Sequence, residues 1–282
     1  MAVTNVQTVL GTAALPHTVE HFSVQSQVLR KAERIDASYF NPAAAHALEI
    51  LRHSGMRLAT VGELTQRVFI PNRFARIYVG HNYGLPFLQG SHIVHFQPAD
   101  VKHVSIQEHK HIDRWVIRKD WILVTRSGTV GRVALCPSEW DGWAASEHIL
   151  RIIPNTKECP SGYLYSFLAS PLGQVQLTRP IYGAVVDELT EAHTSSVLVP
   201  MPVNAKQKAE MARINEEAHK AVATRSLAVS LINAAVTDLT TLVDPDHIDA
   251  AIAEQRLGEL EANPDLLIAG AELKEKLDEL LA

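Results

Sequence analysis

From Asn204 to Asp244 the chain carries neither glycine nor proline, and no other feature restricts its folding as strongly. A stretch of that length without a breaker favours one continuous helix. Asn204 offers an N-cap, and Gln207 stands three residues on as its capping-box partner. Met211, Ile214, Ala218, Ala221, Arg225, Ala228, Ile232, Ala235, Leu239 and Leu242 then recur at alternating spacings of four and three. That spacing keeps them on one stripe of the helix, and the alanines permit close approach by another helix. About 39 residues at 1.5 Å each give a rod of roughly 58 Å, more than a compact core needs. The stripe therefore predicts a partner helix; folding back onto the chain's own domain is the alternative.

Pro200-Met201-Pro202 marks the boundary before this helix. Between about Leu58 and Pro202 the texture is strand and turn, with short β-rich runs separated by Gly, Pro, Asn or Asp. The runs are Arg76–Val79, Pro86–Leu88, Trp115–Ile117, Trp121–Val124, Val130–Leu135, Ile149–Ile153 and Ser196–Val199. One helix is predicted over Gly162–Ala169, closed by Pro171 and Gly173. Upstream, residues 1–21 read as a loose lead-in and Phe22–Val28 as a strand. Asn41-Pro42 reads as a helix start, with Ala45, Leu48 and Leu51 at helical spacing up to Gly55. The expected division is a domain over 22–202, a long helix over 203–243 and an acidic helical tail over 244–282. Two short helices, Asp249–Glu261 and Glu272–Leu281, are predicted in the tail.

The net charge of −5 conceals a segregation. Residues 57–132 carry 11 Lys and Arg against 5 Asp and Glu, whereas residues 244–282 carry 3 against 11. A basic segment is the footprint expected opposite a phosphate backbone, with a solvated mixed face as the plainer alternative. No run of 18 apolar residues occurs, which argues against a membrane span, and the N-terminus lacks the pattern of a signal peptide. Cys136 and Cys159 have no metal-type spacing, so reduced thiols and a cytoplasmic location are expected.

Catalytic signatures are wanting. The sequence has no Walker-type phosphate loop, no G-x-G-x-x-G fingerprint and no G-x-S-x-G elbow. Asn41-Pro42-Ala43-Ala44 lacks the second proline and the aromatic of an amino-methyltransferase motif. Of the 14 histidines, the closest pairs are His92-x-x-His95 and His109-x-His111; neither has the H-E-x-x-H arrangement, and no metal site is expected.

Residue types suited to reading DNA cluster in four places. Arg67, Asn72, Arg73 and Arg76 gather around Pro71, and arginine and asparagine make paired contacts to guanine and adenine edges. Gln89-Gly90-Ser91-His92 follows a short apolar strand, where glycine would let the backbone approach phosphate. Arg126, Ser127, Gly128, Thr129 and Arg132 occupy a predicted hairpin turn with hydroxyls, amides and charge suited to phosphate. Arg179, Tyr182 and Gly183 form a further polar tip. Taken singly, each is also compatible with a plain surface turn.

Four segments carry a resemblance to the specificity (S) subunit of type I restriction–modification systems, or the similar subunit of related type II systems. They are Arg34–Pro42, Gly84–Ile93, Asp120–Gly131, and Val197–Pro202 leading to Gln207 and the long helix. Their order and spacing over residues 20–243 carry the likeness, rather than any one of them. The resemblance implies a target-recognition domain of mixed α/β fold followed by a spacer helix. It further implies a non-enzymatic role, directing an adenine methyltransferase, and with it a restriction subunit, to a bipartite site in double-stranded DNA. S-adenosylmethionine would then sit on the methyltransferase and no cofactor on this chain. One recognition domain and one long helix make it similar to a half-length form, which predicts a homodimer through the helix. A protein–protein adaptor, and a nuclease or methyltransferase with an unrecognised site, are the competing expectations.

Overall fold

A computed structural model of the chain describes residues 23–32, 42–178 and 188–243. The chain divides into two compact units, Met1–His219 and Lys220–Ala282. Within the first, β1 (Arg57–Thr60) pairs antiparallel with β10 (Leu198–Met201), closing the start of the domain onto its end. Thr60 and Glu63 then form a capping box that opens the single turn α3 (Val61–Leu64).

Two four-stranded sheets follow. The first runs β2-β9-β6-β7, built from β2 (Thr65–Phe69), β9 (Ile149–Pro154), β6 (Ile122–Thr125) and β7 (Val133–Leu135), all antiparallel. The second runs β3-β5-β4-β8, from β3 (Tyr78–Val79), β5 (Lys102–Ser105), β4 (Gly84–Leu88) and β8 (Ala144–Ala145), with β4 and β8 parallel. Period-two alternation distributes the second sheet's side chains between two cores. Leu88 and Ala145 enter a cluster with Ile117, Leu123, Trp140 and Ile149, while Phe87 and Ala144 pack with Val104 against Phe74 and Trp115. The mixed α/β architecture and long C-terminal helix agree with the sequence, as do most of the strand positions.

Several local expectations are corrected. The strand expected over Phe22–Val28 is not formed by its described residues, 23–28: Ser26–Ala32 is helical (α1), and the helix formers Leu29, Arg30, Lys31 and Ala32 outweigh the alternation before them. In α2 (Pro42–His53) the buried face is Ala44, Ala47 and Leu51, rotated by about a residue from Ala45 and Leu48, which are half-buried. Asn41, the expected cap, lies outside the described residues. Trp115–Ile117 forms only an isolated bridge, Val116 to Ala144. Helix α4 (Ser161–Ala169) ends as predicted, yet Pro171 opens a second helix, α5 (Pro171–Thr178), because proline suits a first helical position. Gly173 lets α5 turn against α4: a Cβ there would stand 2.2 Å from the Phe167 carbonyl oxygen. A short helix α6 (Glu191–Ser195), capped by Thr190, leads into β10.

Helix α7 (Ala205–Val243) is continuous over 39 residues. The Asn204 side chain accepts from the Gln207 amide at 2.9 Å, and the Gln207 side chain accepts from the Val203 amide at 2.9 Å. Its first part docks on the domain: Ala218 is buried and Met211 and Ile214 are half-buried. There the Gly162 amide donates to the Asn215 side chain at 2.9 Å, and the Ser161 hydroxyl lies 3.2 Å from His219 Nε2. For this stretch the predicted stripe covers the chain's own domain. Beyond it Arg225 and Ala228 are half-buried, whereas Ala221, Ile232, Ala235, Leu239 and Leu242 are exposed.

By length and composition alone α7 could cross a membrane, although no run of 18 apolar residues occurs. From Lys220 to Val243 the charged residues are Lys220, Arg225 and Asp238. Polar Ser226, Ser230, Asn233 and Thr237 recur there at spacings of four and three, and the Ser226 and Thr237 hydroxyls donate to the Val222 and Asn233 carbonyls of the helix itself. Cys136 and Cys159 are both buried and free; burial raises both thiols, Cys159 to about 12.

Candidate nucleic-acid interface

Three chain segments converge on an open cleft of about 490 Å³. Gln89, Gly90 and Ser91 follow β4, Ser127, Gly128 and Thr129 form the β6–β7 turn, and Ser146 and His148 precede β9, with Arg76 closing one side. Seven of the residues singled out in sequence thus share one site, although they lie in three separate segments.

The β6–β7 turn is shaped by its own hydrogen bonds. Gly128 and Gly131 adopt φ of 75° and 82°, values that favour glycine. The Gly131 amide donates to the Thr125 carbonyl at 2.9 Å, and the Thr125 hydroxyl donates to the Thr129 carbonyl. A Cβ on Gly128 would meet nothing within 4 Å, so the tip is open. Arg132 is exposed beside it.

The predicted cations divide into two groups. Arg73 has 74% of its side chain exposed, with its Nε 4.0 Å from Glu147 Oε1, and Arg67 is exposed with its guanidinium 4.3 Å from the Phe69 ring centre. Arg76 instead bonds Glu147 at 2.6 Å, and Arg126 pairs with Glu188 while donating to the Leu189 carbonyl at 3.2 Å. These last two hold loops together as well as supplying charge. Asn72 is exposed, and its carbonyl accepts from the Trp115 indole at 2.8 Å. His92 turns inward: it is 7% exposed, and its Nδ1 accepts from the Gln89 amide at 3.2 Å. Burial, the neighbouring His95 and, in opposition, Asp100 leave its pKa below the ordinary value. His92 therefore shapes the Gln89–Ser91 turn rather than facing the cleft. Arg179, Tyr182 and Gly183 lie outside the described residues.

Sequence reasoning missed the cleft's floor, Ser146-Glu147-His148. Ser127 Oγ stands 2.7 Å from His148 Nδ1, and His148 Nε2 stands 3.5 Å from Glu147 Oε1. Burial works to raise the Glu147 carboxyl, but its own backbone amide, the Arg76 guanidinium and His148 hold it below the ordinary value. Arg151 anchors this segment from beneath. Fully buried, its guanidinium donates to the carbonyls of Ser146, Ile149, Trp115 and Ala145. Burial lowers its pKa to about 9, with Glu147 pulling the other way, so it is still a cation at neutral pH.

Two serine–histidine–carboxylate alignments result, Ser127–His148–Glu147 and Ser161–His219–Asp120. In the first the carboxylate is shared, one oxygen bonding Arg76 and the other facing His148; in the second the serine is 5% exposed beneath α7, closed to a substrate. Among the described residues, no group of three or more His, Cys, Asp or Glu could hold a metal ion. The geometry suits hydrogen bonding to a polar, anionic surface.

A family model described as the type I restriction modification DNA specificity domain matches residues 57–216, more than half of the chain. Among solved structures, the chain is similar to the HsdS subunit of Thermoanaerobacter tengcongensis, with 20% identity and a TM-score of 0.42. That match covers 68% of this chain and 48% of the other. The S subunit of a type I restriction-modification system from M. genitalium matches at 13% identity and TM-score 0.46, covering 74% of this chain and 51% of that one. A chain from a type I R-M system complex matches at 17% identity and TM-score 0.44, covering 76% and 53%. This chain spans about half the length of each. No curated protein matches it.

Proposed function

Since this chain belongs to the type I restriction modification DNA specificity domain family, we propose that it is the sequence-reading module of a DNA-modification assembly. The observation that carries the reading is the extent of the family match. It runs from β1 to the docked turns of α7 and so encloses the whole cleft-bearing fold. The cleft supplies amides, hydroxyls, imidazoles and an amide side chain to a groove. Exposed Arg67, Arg73 and Arg132 supply charge for phosphate. A module of this size contacts a few base pairs, burying about 600–1,000 Å².

On this reading the chain catalyses nothing itself. It directs an adenine methyltransferase, which carries S-adenosylmethionine and flips the target base, and an associated restriction subunit adds cleavage. The assembly works in the cytoplasm. A second copy joined through the exposed Ile232–Leu242 part of α7 supplies the other half-site, giving an interrupted palindrome.

Co-expression of the full chain with the partner methyltransferase, followed by sequencing of methylated adenines, tests this directly. Methylation confined to one interrupted motif, and dependent on this chain, is the expected result. The same methylation without the chain would overturn the reading. So would DNA cleavage or methyl incorporation by the chain alone with magnesium and S-adenosylmethionine.

A further inference from the structure

A serine hydroxyl on a DNA-reading surface is ordinarily ambiguous, since it can donate to a base or accept from one. Ser127 is not free in this way. The Glu147 carboxylate, held ionised by Arg76, lies 3.5 Å from His148 Nε2 and favours the ring proton on that nitrogen. With the ring proton on Nε2, Nδ1 is a lone pair, and it stands 2.7 Å from Ser127 Oγ. In that tautomer the Ser127 proton is directed to His148, which leaves the oxygen lone pairs to the cleft that both residues line.

We propose that Ser127 is a specificity-determining residue that acts solely as a hydrogen-bond acceptor, taking the exocyclic amino group of a base in the major groove. Adenine N6 and cytosine N4 are the amino donors presented there, whereas guanine and thymine present acceptors at the corresponding places. The Glu147–His148–Ser127 chain therefore selects adenine or cytosine at one position of the site and disfavours guanine and thymine. Glu147 and His148 are positioning residues in this scheme, fixing the polarity of a hydroxyl they do not replace. The inference rests on the DNA-reading function proposed above.

Selection of bound sequences from a randomised duplex pool tests it, using the full-length chain, Ser127→Ala and His148→Phe. The wild-type motif should contain one position restricted to adenine or cytosine. In Ser127→Ala the preference there should fall about tenfold, the value of one net hydrogen bond, with the other positions unchanged. In His148→Phe the hydroxyl is released to donate as well, so guanine or thymine should enter at that same position. Melting curves matched to wild type separate these effects from a general loss of fold. A wild-type motif that both variants reproduce would overturn this inference alone. Failure of the wild type to enrich any motif would remove the DNA reading beneath it.

Discussion

The amide of Gly162 donates to the side-chain oxygen of Asn215 at 2.9 Å, fastening the start of α4 to the long helix α7. A Cβ at Gly162 would stand 2.7 Å from the Asn215 backbone oxygen and 3.1 Å from the Ala218 Cβ. Gly162→Ala should therefore push α7 off the domain, costing about 1–3 kcal/mol as overpacking does. Chemical denaturation measures the cost. Amide exchange along Ala205–His219 should quicken more than exchange in β6 and β9; uniform protection would contradict the docking described.

Arg151 holds the cleft floor by donating to four backbone carbonyls from a fully buried position. Arg151→Met keeps much of the apolar stem but removes the guanidinium donors, although the Ser146 and Trp115 carbonyls still accept from the Ile149 and Ala145 amides. A buried group left unsatisfied costs about 1–3 kcal/mol, so a loss of that order is expected in urea unfolding. A loss below about 1 kcal/mol would show that water or relaxation replaces the guanidinium.

His92 gives the domain a pH dependence. Its pKa in the folded state lies below the ordinary histidine value, chiefly through burial. The unfolded chain then binds the proton more tightly than the folded one, so stability rises with pH across this window. The contribution is complete above about pH 6.5 and shrinks as pH falls towards the folded value. His103, also lowered by burial and by His81, acts in the same direction. Unfolding midpoints at about pH 7 and pH 5 should differ less in His92→Asn than in wild type. An equal difference would remove His92 from this role.

The arginines should separate by environment. Arg73→Ala and Arg132→Ala alter exposed cations and should weaken DNA binding, each reducing the salt slope by about one unit if it contacts phosphate. Arg126→Ala leaves Glu188 and the Leu189 carbonyl without their partner, so it should lower thermal stability as well. Binding isotherms over a salt series, paired with melting curves, distinguish the two. Unchanged binding in both exposed variants would move the phosphate contacts elsewhere.

What could be read from the sequence was what short-range rules determine. The cap at Asn204 and the glycine-dependent turn at Gly128 and Gly131 are set by neighbours a few residues apart, and both stand where expected, although the Gln207 side chain accepts from the Val203 amide rather than that of Asn204. Strand β8, two residues long, has no pattern of its own and exists because Phe87 and Leu88 lie beside it. The β1–β10 pairing joins Arg57 to Met201 across most of the domain, beyond any local signal. Glu147 and His148 escaped notice for the same reason: their partners, Arg76 and Ser127, are brought to them by packing alone. Pro171 misled because proline both stops one helix and starts the next.

Hydrogen exchange of the full chain with and without duplex DNA tests the central claim most directly. If the cleft faces the groove, amides of Gln89–His95 and Arg126–Arg132 should exchange more slowly when duplex is bound. If those segments exchange unchanged while duplex protects a surface elsewhere, the cleft is not what meets DNA.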